Sequence, residues 1–178
     1  MSSMTVRRVV TGHRGGKAVF ASDEVVAPLT MPMLPGAEFF RLWGGDSAPT
    51  FPDDGAPPPQ PMYFPPVGGY RFSIFTVPPA GGRAPADLDP AAGLAEVEAK
   101  LPGLLAHMEP DEPGMHTTDT IDFEVILSGE VTLELDDGAL TTLHAGDTVV
   151  QNGTRHRWAN PGAVPAVIAV FIVGAHRA

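Results

Sequence analysis

Residues 114–138 read GMHTTDTIDFEVILSGEVTLELDDG, and this stretch decides the fold class of the chain. Over positions 121–127, apolar residues alternate with Asp122 and Glu124, which is the period-two pattern of a half-buried β-strand. Ser128 and Gly129 then turn the chain into a second apolar run at 131–135. The next turn is 136–138, where Gly138 tolerates the positive φ that a tight hairpin requires. The stretch therefore predicts consecutive β-hairpins.

The sequence after this stretch continues the same pattern. Further strands are predicted at Leu140 to Leu143, Thr148 to Gln151 and Ala166 to Val173, the last of them apolar throughout. Strands that recur about every ten residues with turn residues between them are typical of a β-barrel or a β-sandwich.

The first half of the chain contains short strands separated by proline-rich loops. The strands are predicted at Ala18 to Phe20, Glu38 to Trp43 and Tyr70 to Val77. Between the last two strands, Ser47 to Pro66 is a polyproline-like surface loop. Two interpretations of the loop stay open, a passive connection and a lid over a pocket.

One helical segment, 89–109, precedes the barrel motifs. Asp89 is the predicted N-cap and Pro90 the first helical residue, while Pro102 should break or kink the segment near Lys100 into two short helices. Apolar residues at helical spacing predict a face that packs on the core: Leu94, Val97, Leu101, Leu104, Leu105 and Met108.

Length and composition limit the class of protein. The 178 residues suit a single domain, divided into N-terminal strands and the proline-rich loop (1–88), the helical segment (89–109) and a motif barrel (114–173). The net charge of −10, without a basic stripe, argues against nucleic-acid partners. There is no cysteine, so any metal must bind His, carboxylate or water ligands. No apolar run approaches a signal peptide or a membrane helix, so we expect a cytoplasmic protein with no membrane partner.

Several side chains with chemical capacity share one face of the predicted barrel. His116, Thr118, Asp122 and Glu124 have the same parity in an extended chain, and His156 follows two hairpins later. A closed barrel brings such positions to one interior. Two histidines and two acids are costly to bury unless they are paired or bind a metal.

This arrangement resembles the cupin superfamily over Gly114 to Val173. The first motif of that family reads His, any residue, His, three or four residues, Glu, six residues, Gly. His116, Thr118, Asp122 and Gly129 occupy this frame, with Thr118 in place of the second His and Asp122 in place of the Glu. The second motif is matched by the residues Gly146, Gly153, His156 and Asn160, with Gln151 in place of its Pro and one residue missing.

The resemblance implies a mostly β, jelly-roll-like barrel with an N-terminal strand extension. It also implies a divalent transition metal (Fe, Mn, Ni or Zn) bound by His116, Asp122 and His156. The carboxylate ligand remains a choice between Asp122, which the spacing selects, and Glu124, which is otherwise the catalytic general base. Thr118, Gln151 and Trp158 are the predicted substrate-binding residues, and Asn160 resembles the structural Asn of the family.

Two functional hypotheses follow from these residues. The first is a metal-dependent enzyme of dioxygenase, isomerase, dehydratase or decarboxylase type that acts on a small organic molecule. The second is a metal-free, non-catalytic barrel that binds a small molecule. Because cupins commonly dimerise by extending their sheets, we also expect a homodimer in which N-terminal strands add to the neighbouring subunit.

Overall fold

The structure is a computed structural model that describes residues 4–178, and it is mostly β with one α-helix. The strands are β1 (Val6–Arg14), β2 (Lys17–Val26), β3 (Phe39–Gly45), β4 (Tyr70–Val77), β5 (Thr120–Ser128), β6 (Glu130–Glu134), β7 (Leu140–His144), β8 (Thr148–Asn152), β9 (Arg157–Ala159) and β10 (Ala166–Gly174). The helix α1 spans Pro90–Lys100. This architecture confirms the predicted fold class.

The strands of the barrel lie in two sheets. One sheet has five strands in the order β3-β4-β10-β5-β8, and the other has three in the order β7-β6-β9. Neighbouring strands in both sheets are antiparallel. Because β3 and β4 belong to the larger sheet, the barrel draws two strands from outside the predicted 114–173 segment.

The inner faces of the two sheets pack on one apolar cluster. Ile126 and Ile168 of the larger sheet are buried against Val131 of the smaller sheet, with Leu143 and Trp158 packed around them. Alternate residues of β5, β6 and β10 are buried, but in β5 the buried positions include Asp122 and Glu124, and the apolar Phe123 and Val125 face outward. This cluster fills one end of the interior.

The helical segment covers another part of the core. Asp89 accepts a hydrogen bond from the Ala91 amide, and α1 ends before Pro102, after which Leu105–His107 forms a single 3₁₀ turn. The predicted cap and the division into two short helices are confirmed. Val97 and Leu101 are buried with Met31 and Tyr63, whereas the expected core position Leu94 is 46% exposed. That expectation was wrong because the contact face of α1 is narrower than its apolar stripe.

The N-terminal strands form a long hairpin. β1 pairs with β2 in an antiparallel two-stranded sheet that includes a register shift after Val10. This hairpin packs on the outer face of the larger sheet, where Val6 and Val26 cover Phe40 and Leu42.

Among residues 4–178, the structure has no helix with the length and hydropathy that a membrane crossing requires.

Asn160 connects the turn before β10 to the end of β4. Its side-chain amide donates to the carbonyls of Val77 and Val164, each at 2.8 Å, and its oxygen accepts from the Gly162 amide at 2.8 Å. The residue is 2% exposed.

We expect Asn160→Ala to lower the free energy of unfolding by about 2 kcal/mol, because buried backbone groups lose their partners. Urea denaturation followed by circular dichroism measures the change. The exposed Asn152→Ala variant is the matched control, and equal stability of the two variants would contradict a structural role for Asn160.

Candidate functional site

The structure brings His116 and His156 together although forty residues separate them in sequence. Their backbones exchange two hydrogen bonds, from the His116 amide to the His156 carbonyl at 2.9 Å and from the His156 amide to the His116 carbonyl at 3.0 Å. Such a reciprocal antiparallel pair sets the two side chains next to each other. The ring centroids lie 4.2 Å apart, and His156 is 2% exposed.

Backbone carbonyls fix both imidazole rings. Nδ1 of His116 lies 3.0 Å from the Gly114 oxygen, and Nδ1 of His156 lies 2.9 Å from the Thr154 oxygen. A carbonyl oxygen can only accept, so each Nδ1 carries a proton and the lone pair of a neutral ring lies on Nε2. The two rings therefore present the same kind of free nitrogen.

Burial keeps these rings neutral. Loss of solvent, together with the neighbouring His116, lowers the pKa of His156 to about 4, against an opposing effect of its bond to the Thr154 carbonyl. Burial likewise lowers the pKa of His116, against an opposing effect of its bond to the Gly114 carbonyl. At neutral pH both imidazoles are unprotonated at Nε2, which is the form that binds metals.

Gln151 holds the turn that leads to His156. Its side-chain amide donates to the Thr154 carbonyl at 3.3 Å and contacts the Thr154 hydroxyl. The same carbonyl accepts the Nδ1 proton of His156. Gln151 is 3% exposed and therefore fixes the orientation of His156 through a shared acceptor.

Two carboxylates lie in the interior on β5. Asp122 and Glu124 are 6% and 3% exposed, and Asp122 Oδ1 and Glu124 Oε2 are among the buried atoms of residues 4–178 that have no hydrogen-bond partner. Buried polar atoms in proteins are almost always paired with protein, water or a ligand. These two oxygens are therefore available to bind a water molecule, a ligand or a metal.

Burial raises the pKa of both acids. Loss of solvent raises the pKa of Asp122 to about 6, against an opposing hydrogen bond from Thr120. Loss of solvent, together with the charge of Asp122, raises the pKa of Glu124 to about 8. At pH 7 Glu124 is mainly a neutral acid and Asp122 mainly an anion, so one side chain can donate a proton and the other can accept one.

The other predicted site residues lie around these groups. Thr118 is 2% exposed, and its hydroxyl lies 2.7 Å from the hydroxyl of Thr120. Trp158 stands perpendicular to the His156 ring at a centroid distance of 6.2 Å and also packs in the core. Its apolar contacts give it a structural role whether or not it contacts a substrate.

The histidines and the carboxylates are not assembled into one cluster. Within the part of the chain that the structure describes, no three His, Asp or Glu side chains are grouped so that they could hold a metal. The expected set of His116, Asp122 and His156 is therefore not present as a group, nor is Glu124 placed with the two rings. The backbone pairing sets the rings side by side, while Asp122 and Glu124 lie further along β5, beside Gln151 and Val149 of β8.

The sequence interpretation missed Arg71 and the inward position of Tyr63. Arg71 is 2% exposed and lies on the inner face of β4, in the same cross-strand row as Ile172 and Asp122. Tyr63 comes from the proline-rich loop, and its burial raises the pKa of its hydroxyl, with smaller contributions from the charges of Asp122 and Glu124. The alternation of Arg71, Ser73 and Phe75 with outward residues was a usable signal for Arg71. The position of Tyr63 had no such signal.

Comparisons with known proteins agree with this fold. The model of the family described as "Cupin domain" matches residues 104–173. Oryzines biosynthesis cluster protein J of Aspergillus oryzae is 41% identical over 61 residues, which are 34% of this chain and 34% of that protein. Phomopsin biosynthesis cluster protein D of Diaporthe leptostromiformis is 50% identical over 46 residues, 26% of this chain and 24% of that protein. The matches thus span about a third or less of these curated relatives.

Solved structures with a similar chain course include a predicted oxalate decarboxylase from Thermotoga maritima. It is 15% identical, with a TM-score of 0.44, and the match covers 84% of this chain and 93% of that one. A cupin 2 conserved barrel domain protein from Salinispora arenicola is 17% identical, with a TM-score of 0.41 and 82% of each chain covered. Residues 104–173 are therefore similar to a cupin domain, and the two-sheet fold agrees with that match.

Proposed function

We propose that this protein is a metal-dependent enzyme that transforms a small organic molecule in the interior of its barrel. The observation that carries the proposal is the pair of neutral imidazoles, whose Nδ1 atoms are held by backbone carbonyls and whose Nε2 atoms are free. Metal-binding histidines in proteins are usually fixed in this way through the ring nitrogen that does not bind the metal.

The residues fit a metal held by two nitrogens. His116 and His156 would hold Fe, Mn, Ni or Zn, and the remaining positions would be left for water, substrate or a carboxylate. Such an ion, when bound, polarises an oxygen atom of the substrate or lowers the pKa of water. A site with only two protein ligands in place binds its ion more weakly than a site with four.

The chain's own groups supply proton transfer and binding. Glu124, which is neutral at pH 7, would donate a proton to the substrate, and Asp122 would accept one. The buried walls exclude water, which strengthens each of these polar interactions. Gln151 keeps His156 oriented, and the Thr118 hydroxyl would contact the substrate or a water molecule.

The relatives support a small organic substrate. Their names attach them to biosynthesis clusters for oryzines and phomopsin, and the corresponding class of substrate for this chain is a small organic metabolite. The type of reaction is left open by the fold, since one barrel serves many chemistries.

The second candidate is a metal-free barrel that binds a small molecule without transforming it. The observation that favours it is the separation of the two imidazoles from the two acids among residues 4–178. In that case the unpaired oxygens of Asp122 and Glu124 would bind polar groups of the ligand.

Metal content distinguishes the two candidates. The protein is purified without tag or chelator, incubated with Fe(II), Mn, Ni or Zn, desalted and analysed by mass spectrometry. We expect about one equivalent of one of these metals in the wild type and a loss of at least about tenfold in His116→Ala and in His156→Ala. The exposed His176→Ala is the matched control and should retain the metal.

Circular dichroism must show that each variant is folded. A wild type that retains none of the four metals, or His116→Ala and His156→Ala variants that retain as much metal as His176→Ala, would reject the enzyme proposal in favour of the metal-free barrel.

A further inference from the structure

A groove of about 1280 Å³ lies on the outside of the barrel. Its floor is the outer face of β3, β4 and β10, and its walls are the hairpin of β1 and β2 and residues 46–61 of the proline-rich loop. We call this space the outer groove. It is separated by the thickness of the larger sheet from the interior, where the two imidazoles and the two acids lie. Small-molecule sites in proteins commonly have roughly 300 to 1,000 Å³, so the outer groove is large enough for such a ligand.

Aromatic rings form the floor of the outer groove. Trp43 of β3 is opposite Phe72 of β4, and Phe72 is opposite Phe171 of β10, so that the three rings stand in one cross-strand row. The ring of Tyr70 lies 6.2 Å from that of Phe171, centroid to centroid. Phe72 and Phe171 are each 42% exposed, although β4 and β10 are inner strands of the sheet. The floor therefore offers aromatic faces on which a planar molecule can stack.

The tip of the hairpin is fastened to the proline-rich loop, so the two walls meet at one end of the outer groove. The His13 amide donates to the Asp53 carbonyl at 2.6 Å, and Nδ1 of His13 lies 3.0 Å from the same oxygen. Gly12 lies so close to the loop that any Cβ at this position would clash with the Asp54 carbonyl. A bound polypeptide could not continue past this closed end, whereas a small molecule can be held inside it.

The charged side chains that line the outer groove already have partners. The guanidinium of Arg8 pairs with Glu24, and Asp46 pairs with Arg71 at 2.6 Å. Asp53, at the closed end, accepts a hydrogen bond from the backbone of its own loop at 2.6 Å. A charged ligand would lose its hydration in the groove without gaining a free opposite charge, which is costly. The lining therefore favours an uncharged ligand.

Two hydrogen-bond donors on the floor are not used by the protein. Neither the indole N–H of Trp43 nor the hydroxyl of Tyr70 has a hydrogen-bond partner in the chain from residue 4 onward. A Cβ at Gly45 would stand 3.3 Å from the Tyr70 hydroxyl, so this glycine lets the hydroxyl lie against the floor. An indole N–H can only donate, and a phenol donates readily. A ligand that carries a carbonyl oxygen would satisfy either group.

We propose that the outer groove is a second binding site, which takes an uncharged, planar and mainly aromatic or alicyclic small molecule with a carbonyl group. The rings of Trp43, Phe72 and Phe171 supply the apolar contact, and the carbonyl accepts a hydrogen bond from Trp43 or Tyr70. Binding here requires neither a metal at His116 and His156 nor the buried acids, so it is independent of the reaction proposed for the interior.

The dye Nile red is the probe, because it is uncharged, planar and aromatic, carries one carbonyl and fluoresces strongly in apolar surroundings. It is titrated into the metal-free protein, and the increase in fluorescence is measured. We expect saturable binding of about one equivalent per chain. Anilinonaphthalene sulfonate, an anionic aromatic dye, should bind at least about tenfold more weakly. A wild type that binds no Nile red, or that binds both dyes equally well, would overturn the proposal.

A variant that fills the outer groove locates the bound dye. Ala48 is exposed and lines the groove, and Ala48→Trp should weaken Nile red binding by at least about tenfold while leaving the sheet unchanged. Ala92→Trp, on the exposed side of α1, is the matched control and should bind like the wild type. Phe123→Ala is a second control, because Phe123 is 45% exposed on the same sheet face but lies outside the groove. A control that loses as much affinity as Ala48→Trp would refute the location.

Removal of the two donors tests the carbonyl. The double variant Trp43→Phe, Tyr70→Phe keeps both aromatic rings, and it should bind Nile red about fivefold more weakly because a hydrogen bond is lost. Circular dichroism checks that the variant is folded. An unchanged affinity would contradict the assignment of a hydrogen-bond acceptor to the ligand.

Discussion

Glu124→Gln is expected to remove most of the loss of stability that the metal-free wild type undergoes between pH 6.5 and pH 8. The pKa of Glu124 is about 8 in the folded protein and lies near its ordinary value of 4.5 when unfolded. In this window the folded state therefore holds a proton that the unfolded state has released. The stability that depends on this proton is complete below pH 4.5 and is lost as the pH rises through 8.

The window is chosen to separate Glu124 from its neighbours. Asp122, whose pKa is about 6, is already mostly ionised at pH 6.5, and His156, whose pKa is lowered to about 4, changes stability in the opposite direction below pH 6.5. A difference of one bound proton between the folded and unfolded states, over one and a half pH units, changes the free energy of unfolding by about 2 kcal/mol. For a chain of this length that is roughly 5 °C in Tm.

Thermal unfolding in a chelating buffer at pH 6.5, 7.25 and 8 measures the effect. The wild type should lose stability across the series, and Glu124→Gln should remain nearly level. Glu130→Gln is the control because Glu130 is 43% exposed, and its pH profile should follow the wild type. A pH slope that Glu124→Gln leaves unchanged would mean that the Glu124 carboxyl is ionised in the folded protein.

Arg71→Met is expected to destabilise the protein by about 3 to 5 kcal/mol, because it leaves a buried set of acceptors without a donor. The guanidinium donates to the carbonyls of Gly45 at 3.0 Å and Tyr70 at 2.9 Å, and to that of Met62 at 3.2 Å. It also pairs with Asp46 at 2.6 Å. Methionine fills a similar volume but offers none of these bonds.

Denaturant unfolding of Arg71→Met and of Arg7→Met makes the comparison. Both arginines pair with an aspartate at 2.6 Å, but the side chain of Arg7 is 66% exposed and that of Arg71 is 2% exposed. Arg7→Met should therefore leave the free energy of unfolding unchanged, as is usual for exposed ion pairs. Equal effects of the two substitutions would show that the burial of Arg71 contributes nothing to the free energy of unfolding.

The sequence predicts the barrel well because its strands alternate strongly. The turn at Asp137 and Gly138, both with positive φ, and the burial of Val131 and Leu133 in β6 follow directly from residue types, whereas in β5 the acids are buried and the apolar residues between them face outward. The hairpin of β1 and β2 is longer than the predicted strand Ala18 to Phe20. The prediction was too short because charged and apolar residues are mixed along the hairpin, whose burial comes from packing on β3.

The candidate site was predictable in part. Parity and motif spacing select His116 and His156, and the fold brings their ring centroids to 4.2 Å from each other. The bond from Gln151 to the Thr154 carbonyl and the inward course of Tyr63 depend on the turn and loop conformations, which have no period in sequence. Spacing alone also could not show that the two acids stand apart from the two rings.

The position of β10 sets the order in which the protein can assemble. This strand comes last in the chain, yet it lies between β4 and β5, and those two strands have no hydrogen bonds to each other. While the polypeptide is being made, β4 and β5 must each keep one edge open until residues 166–174 have emerged from the ribosome. The central part of the larger sheet therefore closes late, by long-range pairing that slows folding.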